Sequence, residues 1–102
     1  FSIVPVGHGS TSVGREIASA ICAIADVKGI NYEVTPMGTI MEADDLDSIF
    51  QAVKAAHAVL TAMGVKRVES VLRIDDRRDK PRTMRDVIAS IKNYMKQPKV
   101  KQ

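Results

Sequence analysis

Apolar residues recur at helical spacing in three separate segments of the chain. A repeat of three or four residues places such positions on one side of a helix, where they form the buried face. The positions in chain order are Val13, Ile17, Ala20, Ile21, Ile24 and Val27; then Leu46, Ile49, Phe50, Val53, His57 and Leu60; then Met84, Val87, Ile88, Ile91 and Met95. The pattern therefore predicts three amphipathic helices.

The residues that flank these segments are types that begin and end helices. Short polar side chains bond the free N–H groups of a first turn, and glycine adopts the left-handed conformation that follows a last turn. The expected starts are Ser12, Asp44 or Asp45, and Thr83 with Asp86 at nearly the spacing of a capping box, and the expected ends are Gly29 and Gly64.

Short runs rich in β-branched residues lie between the helices: "FSIVPV", "INYEVTP", "GTIME" and "VKRVESVLRID". The predicted order is strand, helix, strand, strand, helix, strand, helix. This order favours an α+β fold, a ferredoxin-like βαββαβ sandwich with an added C-terminal helix. A doubly wound parallel sheet would need a helix between strands two and three, and residues 36–38 leave no room for one.

The last predicted strand separates its side chains between two faces. Val68, Ser70, Leu72 and Ile74 fall on one side by alternation, and Arg67, Glu69, Val71, Arg73 and Asp75 fall on the other. Tyr32 and Val34 likewise alternate with Asn31, Glu33 and Thr35. We expect the second face to be polar with some apolar positions, namely Val71 and either Met37 or Met41. Such a face suits assembly, a small amphipathic ligand, or simple exposure to water.

Length and cysteine content indicate the number of domains and the cellular compartment. A chain of 102 residues forms one domain, and no apolar run approaches the ~20 residues needed to span a bilayer. The start "FSIVPVGHGS" does not have the pattern of a signal peptide. The single cysteine, Cys22, suits a reducing compartment, and we expect it to pack in its helix. These features predict a cytoplasmic protein.

The net charge of +3 changes this picture little. Much of the excess lies in "RRDKPRTMR", where acids are interleaved, and in the tail "KQPKVKQ". Only four aromatic residues are present, so a surface for stacking bases has little material. Nucleic acid is therefore not the expected partner.

Most candidate chemical motifs are weak. "GHGSTSVG" joins a strand to a helix and offers backbone N–H groups to an anion, but it lacks the phosphate-loop ending and the dinucleotide spacing. His8 and His57 have no Cys or His partner at ligand spacing, which argues against a metal site. No catalytic triad or carboxylate pair follows from spacing, so we expect a non-catalytic protein. "IDDRRDK" reads as an exposed ion-pair network.

Three stretches carry a resemblance to a known family: "SIVPVGHGSTSVG", "YEVTPMGTIMEADDLDSIFQAVKAAH" and "RIDDRRDK". In their order and spacing they resemble the thiamine-binding family of small proteins. The resemblance implies one ferredoxin-like thiamine-binding domain at 1–97, followed by a short basic tail at 98–102. It also implies a homotetramer, built as a dimer of dimers, and a ligand that is thiamine or its hydroxymethylpyrimidine moiety, with no other cofactor.

The resemblance directs attention to the turn around "TPMGT". A methionine can lie against a flat ring, hydroxyls can bond the pyrimidine edge, and a carboxylate can favour the amino group and the thiazolium cation. The ligand-binding residues implied in this way are Ser10, Ser12, Thr35, Met37, Thr39, Met41, Glu42 and Asp75.

Two other functions remain open from the sequence. The domain could be an interaction module that uses its sheet face to assemble. It could also be a nucleotide-sensing regulatory domain that binds phosphates at "GHGSTSVG" and "RRDK", with an affinity that falls as salt rises.

Overall fold

A computed structural model describes residues 1–7, 13–76, 78 and 83–96. Its elements are β1 (Ser2–Val6), α1 (Gly14–Ala25), β2 (Asn31–Thr35), β3 (Gly38–Glu42), α2 (Leu46–Ala62), β4 (Arg67–Val71) and α3 (Met84–Lys96). The order of strands and helices is the predicted one, and the α+β class is confirmed.

The four strands form two antiparallel pairs. In one pair, β1 runs beside β4 with Ser2 opposite Val71. In the other, β2 and β3 form a hairpin with Thr35 opposite Gly38. Antiparallel pairing of this kind does not fit the doubly wound parallel alternative.

One residue pair brings the two strand pairs together. The Phe1 amino group donates to the Thr39 carbonyl oxygen at 3.0 Å, and the Thr39 N–H donates to the Phe1 carbonyl oxygen at 2.8 Å. Two residues that exchange both backbone bonds are directly opposite in an antiparallel arrangement. The start of β1 therefore lies beside β3.

The helix ends follow the capping signals with small shifts. α1 begins after Val13, one residue later than a cap at Ser12 predicts, and it ends before Gly29 is reached. Asp45 caps α2, because its Oδ1 atom accepts the Ser48 N–H at 2.7 Å. Gly64 follows the last turn of α2 in the left-handed region, with φ of +89°, as predicted.

α3 begins with the predicted capping box. The Asp86 N–H donates to the Thr83 hydroxyl oxygen at 3.1 Å, and the Thr83 N–H donates to an Asp86 carboxylate oxygen at 3.0 Å. Each residue thus satisfies a backbone donor of the other, and the helix start is encoded within four residues.

Small residues occupy the centre of the core. The buried apolar cluster consists of Ile3, Ala20, Ile24, Ala52, Ala56 and Leu60. The predicted stripe of α2 is correct at Leu60, but Phe50 is exposed and Ala52 and Ala56 are buried in its place. The small alanine side chains allow α2 to pack closely against α1. The side of α2 that carries Ala52 and Ala56 is therefore buried, and the large Phe50 side chain is left exposed.

The helices α1 and α2 cover one side of the strands, and we call the other side the open face. Ile3 is buried beneath the helices, whereas the next residue, Val4, is 41% exposed. The register places the following side chains on the open face: Ser2, Val4, Val6, Asn31, Glu33, Thr35, Ile40, Glu42, Arg67, Glu69 and Val71. The predicted alternation is confirmed within β4, and Leu72 and Ile74 lie beyond the end of that strand.

One expectation about packing is wrong, and one of two alternatives is excluded. Cys22 is exposed on α1, because the buried side of that helix runs through Ala20 and Ile24. Met41 packs against the core cluster and does not lie on the open face, since it alternates with Ile40 and Glu42 along β3.

Candidate functional site

The turn between β2 and β3 is held by a single threonine. The Thr35 hydroxyl donates to the Gly38 carbonyl oxygen at 2.8 Å, and its oxygen accepts the Met37 N–H at 3.3 Å. Both bonding directions of the hydroxyl are therefore used within the turn. The Met37 side chain is 90% exposed at the tip. The arrangement fixes the backbone of the turn and leaves a polarizable thioether facing solvent.

Thr39 occupies a different environment from the turn. Thr39 is 6% exposed, and its backbone N–H and carbonyl groups are both hydrogen-bonded to Phe1. The side chain lies on the helix side of β3, together with Met41. A ligand that reaches the Thr39 hydroxyl must therefore approach from the helix side of the hairpin.

Glu42 ends β3 on the open face and contacts the last helix. Its Oε2 atom accepts the backbone N–H of Met84, the first residue of α3. A carboxylate at this end of a helix is favoured, because the free N–H groups there carry partial positive charge. Glu42 thus connects the hairpin to α3, and this role was not predicted from the sequence.

Asp75 lies in the exposed segment that follows β4. Its neighbour Asp76 accepts two bonds from Arg78, from Nε at 3.1 Å and from Nη2 at 3.0 Å. The expectation of an exposed ion-pair network in "IDDRRDK" is therefore confirmed for this pair. Exposed pairs of this kind contribute little to stability.

Several predicted residues lie outside the described residues. They are Ser10 and Ser12 of the candidate ligand site, His8, and most of the "RRDK" segment, of which Arg78 alone is described. The phosphate-binding alternative, which depends on these two segments, stays a prediction.

The described site residues separate into four groups, one of which is Asp75 alone in the exposed segment after β4. Thr35 and Met37 meet at the turn, and Thr39 and Met41 share the helix side of β3. Glu42 lies on the open face beside α3. Within the described part of the chain, no single pocket gathers all of them.

A pair of polar side chains that the sequence did not predict lies under α2. The His57 Nε2 atom is 2.7 Å from the Ser70 Oγ atom. Both residues are half-buried. The signal for this pair was present, because both His57 and Ser70 fall on sides of their elements that were predicted to face the core.

Two surface hollows lie on α2, away from the turn. The larger has a volume of about 620 Å³ and is lined by His57, Thr61, Gly64, Val65, Lys66 and Val68. The other, of about 530 Å³, is lined by Asp47, Phe50, Gln51, Val53 and Lys54. Neither hollow includes a predicted ligand-binding residue.

Titratable and metal-binding groups add little to the site. The Ser48 backbone N–H, followed by the Ser48 side chain, holds the pKa of Asp45 below its ordinary value of 3.8. Among the described residues, no group of three His, Cys, Asp or Glu side chains is arranged to hold a metal ion. In the same part of the chain, each helix is too short or too polar to cross a bilayer.

Comparison with known proteins gives a consistent result across nearly the whole chain. The family model described as thiamine-binding protein matches residues 1–92. A UPF0045 protein of Methanothermobacter thermautotrophicus is 43% identical over 91 residues, which are 89% of this chain and 91% of that protein. A UPF0045 protein of Staphylococcus xylosus is 36% identical and covers 91% of this chain and 89% of its own.

A solved structure supports the same relationship. The crystal structure of a hypothetical protein from Methanocaldococcus jannaschii superimposes with a TM-score of 0.80 at 36% identity. The match covers 89% of this chain and 90% of that chain.

Proposed function

Because this chain belongs to the thiamine-binding protein family, we propose that it binds thiamine or its hydroxymethylpyrimidine moiety without transforming it. The observation that carries this proposal is the family match over residues 1–92, which includes the entire β2–β3 hairpin. The resemblance in "TPMGT" and "IDDRRDK" points to the same ligand.

The turn supports the proposal through Met37. Thr35 bonds the Met37 N–H and the Gly38 carbonyl oxygen, so the backbone that carries this side chain is held before a ligand arrives. A flat aminopyrimidine packed on the exposed Met37 side chain gains apolar contact and loses little conformational freedom of the backbone.

Carboxylates supply the charge that a thiazolium cation requires. Glu42 is half-buried at the end of the hairpin, and Asp75 is exposed after β4. We propose that these residues favour the cation and the amino group, with Ser10 and Ser12 completing the site from the loop before α1. Thr39 and Met41 lie on the helix side of β3, opposite Glu42, so they remain the candidates for a ligand that approaches from that side instead.

The proposed setting is a cytoplasmic homotetramer, a dimer of dimers, with a ferredoxin-like fold. The antiparallel exchange between Phe1 and Thr39 supports this fold, because it gives the strand order β4-β1-β3-β2. The exposed apolar positions of the open face, such as Val71 at 64%, support assembly. The protein would store, deliver or sense its ligand. Sedimentation near four times the 11.1 kDa chain mass is the expected result.

An interaction module without a ligand is the second candidate. It is favoured by α3, whose apolar residues stay exposed, including Ile91 at 54%. In that case the protein would assemble in the same way, and no small molecule would change its melting temperature.

Calorimetry distinguishes these functions. The parent protein is titrated with thiamine, hydroxymethylpyrimidine, thiamine phosphates and ATP, and the recovered ligand is analysed by chromatography. We expect heat from thiamine or the pyrimidine and unchanged ligand afterwards. The absence of binding at millimolar thiamine and pyrimidine would reject the proposal, and binding of ATP alone would favour the nucleotide-sensing alternative.

Three variants then locate the site. Thr39→Val removes one buried hydroxyl, and loss of a hydrogen bond to the ligand costs about 1–3 kcal/mol, or roughly five- to a hundredfold in affinity. Met37→Ala removes the exposed thioether and should weaken binding without changing stability. Thr61→Val makes the same substitution near the end of α2, outside the β2–β3 hairpin, and serves as the control. Thr61 also lines the larger hollow. Loss of binding in the control alone would move the site to that hollow.

A further inference from the structure

α3 is an amphipathic helix whose apolar side has no cover within its own protomer. None of its residues, all of which lie in the described part of the chain, is buried. Its apolar stripe consists of Met84, Val87, Ile88, Ile91 and Met95. Four members are exposed, from 42% at Val87 to 76% at Met95. An isolated helix of 13 residues is marginal in water, so this stripe needs a surface to cover it.

The protomer is more extended than a compact domain, in line with the exposure of α3. The radius of gyration is 16.9 Å, against about 13 Å for a compact domain of this length. The protomer measures 56 × 31 × 17 Å. The bond from the Met84 N–H to Glu42 fixes the start of α3 beside the open face. Beyond its start, α3 makes no substantial contact with another described element.

The open face has the complementary composition. It presents Val4, Ile40 and Val71, which are 41%, 45% and 64% exposed. Apolar surface on both partners is the main source of favourable free energy in association. The chain therefore carries an uncovered apolar helix and an uncovered apolar sheet.

The charges of the two surfaces are opposite in sign. The open face carries three carboxylates and one guanidinium, a net charge of −2, from Glu33, Glu42, Glu69 and Arg67. α3 carries three cations and one carboxylate, a net charge of +2, from Arg85, Lys92, Lys96 and Asp86. Opposite net charges favour the approach of one surface to the other and disfavour each surface meeting a copy of itself.

We propose that α3 of one protomer docks on the open face of a second copy of this chain, whose α3 docks on the first in return. This contact rests on the proposed self-association and names the surfaces that produce it. A helix of this length is about 20 Å long, and two docked reciprocally bury an area of the order of the 1,200–2,000 Å² typical of stable interfaces. A symmetric exchange of this kind closes a dimer.

Sedimentation equilibrium with charged substitutions tests the contact. Ile88→Glu and Ile91→Glu on the helix, and Val71→Asp on the sheet, should each raise the dissociation constant at least about tenfold, because each places an unpaired charge in the interface. Asn93→Glu is the control, since Asn93 lies on the opposite side of α3 from Ile91. The helix substitutions should leave the sandwich folded, because α3 contributes no buried residue to it.

Disulfide trapping identifies which copy receives the helix. In a Cys22→Ser background, Ile91→Cys and Val4→Cys are made in separate chains, mixed and oxidised, and a mixed disulfide is the expected product. The double variant in one chain, oxidised at low concentration, is the comparison. A cross-linked monomer formed in place of the mixed disulfide would show that α3 folds onto its own sheet, and would overturn the proposal.

The possible results distinguish the α3 contact from self-association in general and from thiamine binding. A parent protein that is monomeric at all concentrations would reject both self-association and the contact. An oligomer that resists all three charged substitutions would reject the contact alone, and thiamine binding is measured independently of either.

Discussion

His57 on α2 and Ser70 on β4 are joined side chain to side chain, with 2.7 Å between Nε2 and Oγ. This bond links α2 to β4 at a point where both residues are half-buried.

Ser70→Ala should destabilise the protein by about 1–2 kcal/mol, because it leaves the imidazole without its partner in a partly desolvated position. Urea denaturation of Ser70→Ala, His57→Ala and the double variant measures the coupling. We expect the double variant to cost less than the sum of the two single variants. Full additivity would show that the bond contributes nothing.

Gly38→Ala should be among the most damaging single-methyl additions in the chain. A Cβ atom at position 38 would lie 2.7 Å from the Phe1 carbonyl oxygen, and φ of +146° is unfavourable for any L side chain. We expect a loss of about 2–4 kcal/mol from backbone strain and displacement of β1.

The matched comparison for Gly38 is Gly64→Ala. Gly64 also has a positive φ, of +89°, but a Cβ atom there meets nothing within 4 Å. The difference in unfolding free energy between the two variants combines the contact with Phe1 and the greater backbone strain at φ of +146°. Equal losses would contradict the larger effect expected at Gly38.

Ala56→Leu should destabilise the protein by about 1–3 kcal/mol, because the extra atoms must push α1 and α2 apart. Ala58→Leu provides a control on the same helix, since Ala58 is exposed and leucine is a good helix former. Thermal unfolding should show a lower melting temperature for the first variant and almost no change for the second. A tolerated leucine at position 56 would contradict close packing of these helices.

Asp45→Ala should lower the melting temperature at neutral pH, because it removes the cap that accepts the Ser48 N–H. The folded pKa of Asp45 lies below its ordinary value of 3.8, so the charged cap stabilises the protein above that pH. The stabilisation is lost as the pH falls through the folded pKa. The difference between parent and variant should therefore shrink from pH 7 towards pH 2. A constant difference would indicate that the charge has no part in the cap.

The sequence was sufficient wherever a short local signal decides the structure. The capping box of Thr83 and Asp86 and the strand "GTIME" were both predicted at their observed positions. The prediction was less successful where packing between elements decides. Ala52 and Ala56 carry little hydrophobic signal, yet they are buried because they let two helices meet closely.

The candidate site shows the same limit. The exposed position of Met37 follows from its place in a turn. The bond between Glu42 and Met84 joins residues 42 positions apart, and no pattern of spacing along the chain indicates it. The contact depends on the folded positions of the end of β3 and the start of α3, which the local sequence does not determine.

The register that places Ser2 opposite Val71 also sets the order of events when the chain is made. Of the four strands, β1 leaves the ribosome before the others, yet its partner β4 follows only after both core helices and the hairpin. Contacts so distant in sequence delay folding, because a long loop must close before they stabilise anything. Until residue 71 has emerged, the nascent protein carries an uncompleted strand edge, and this interval is when it most needs protection from aggregation.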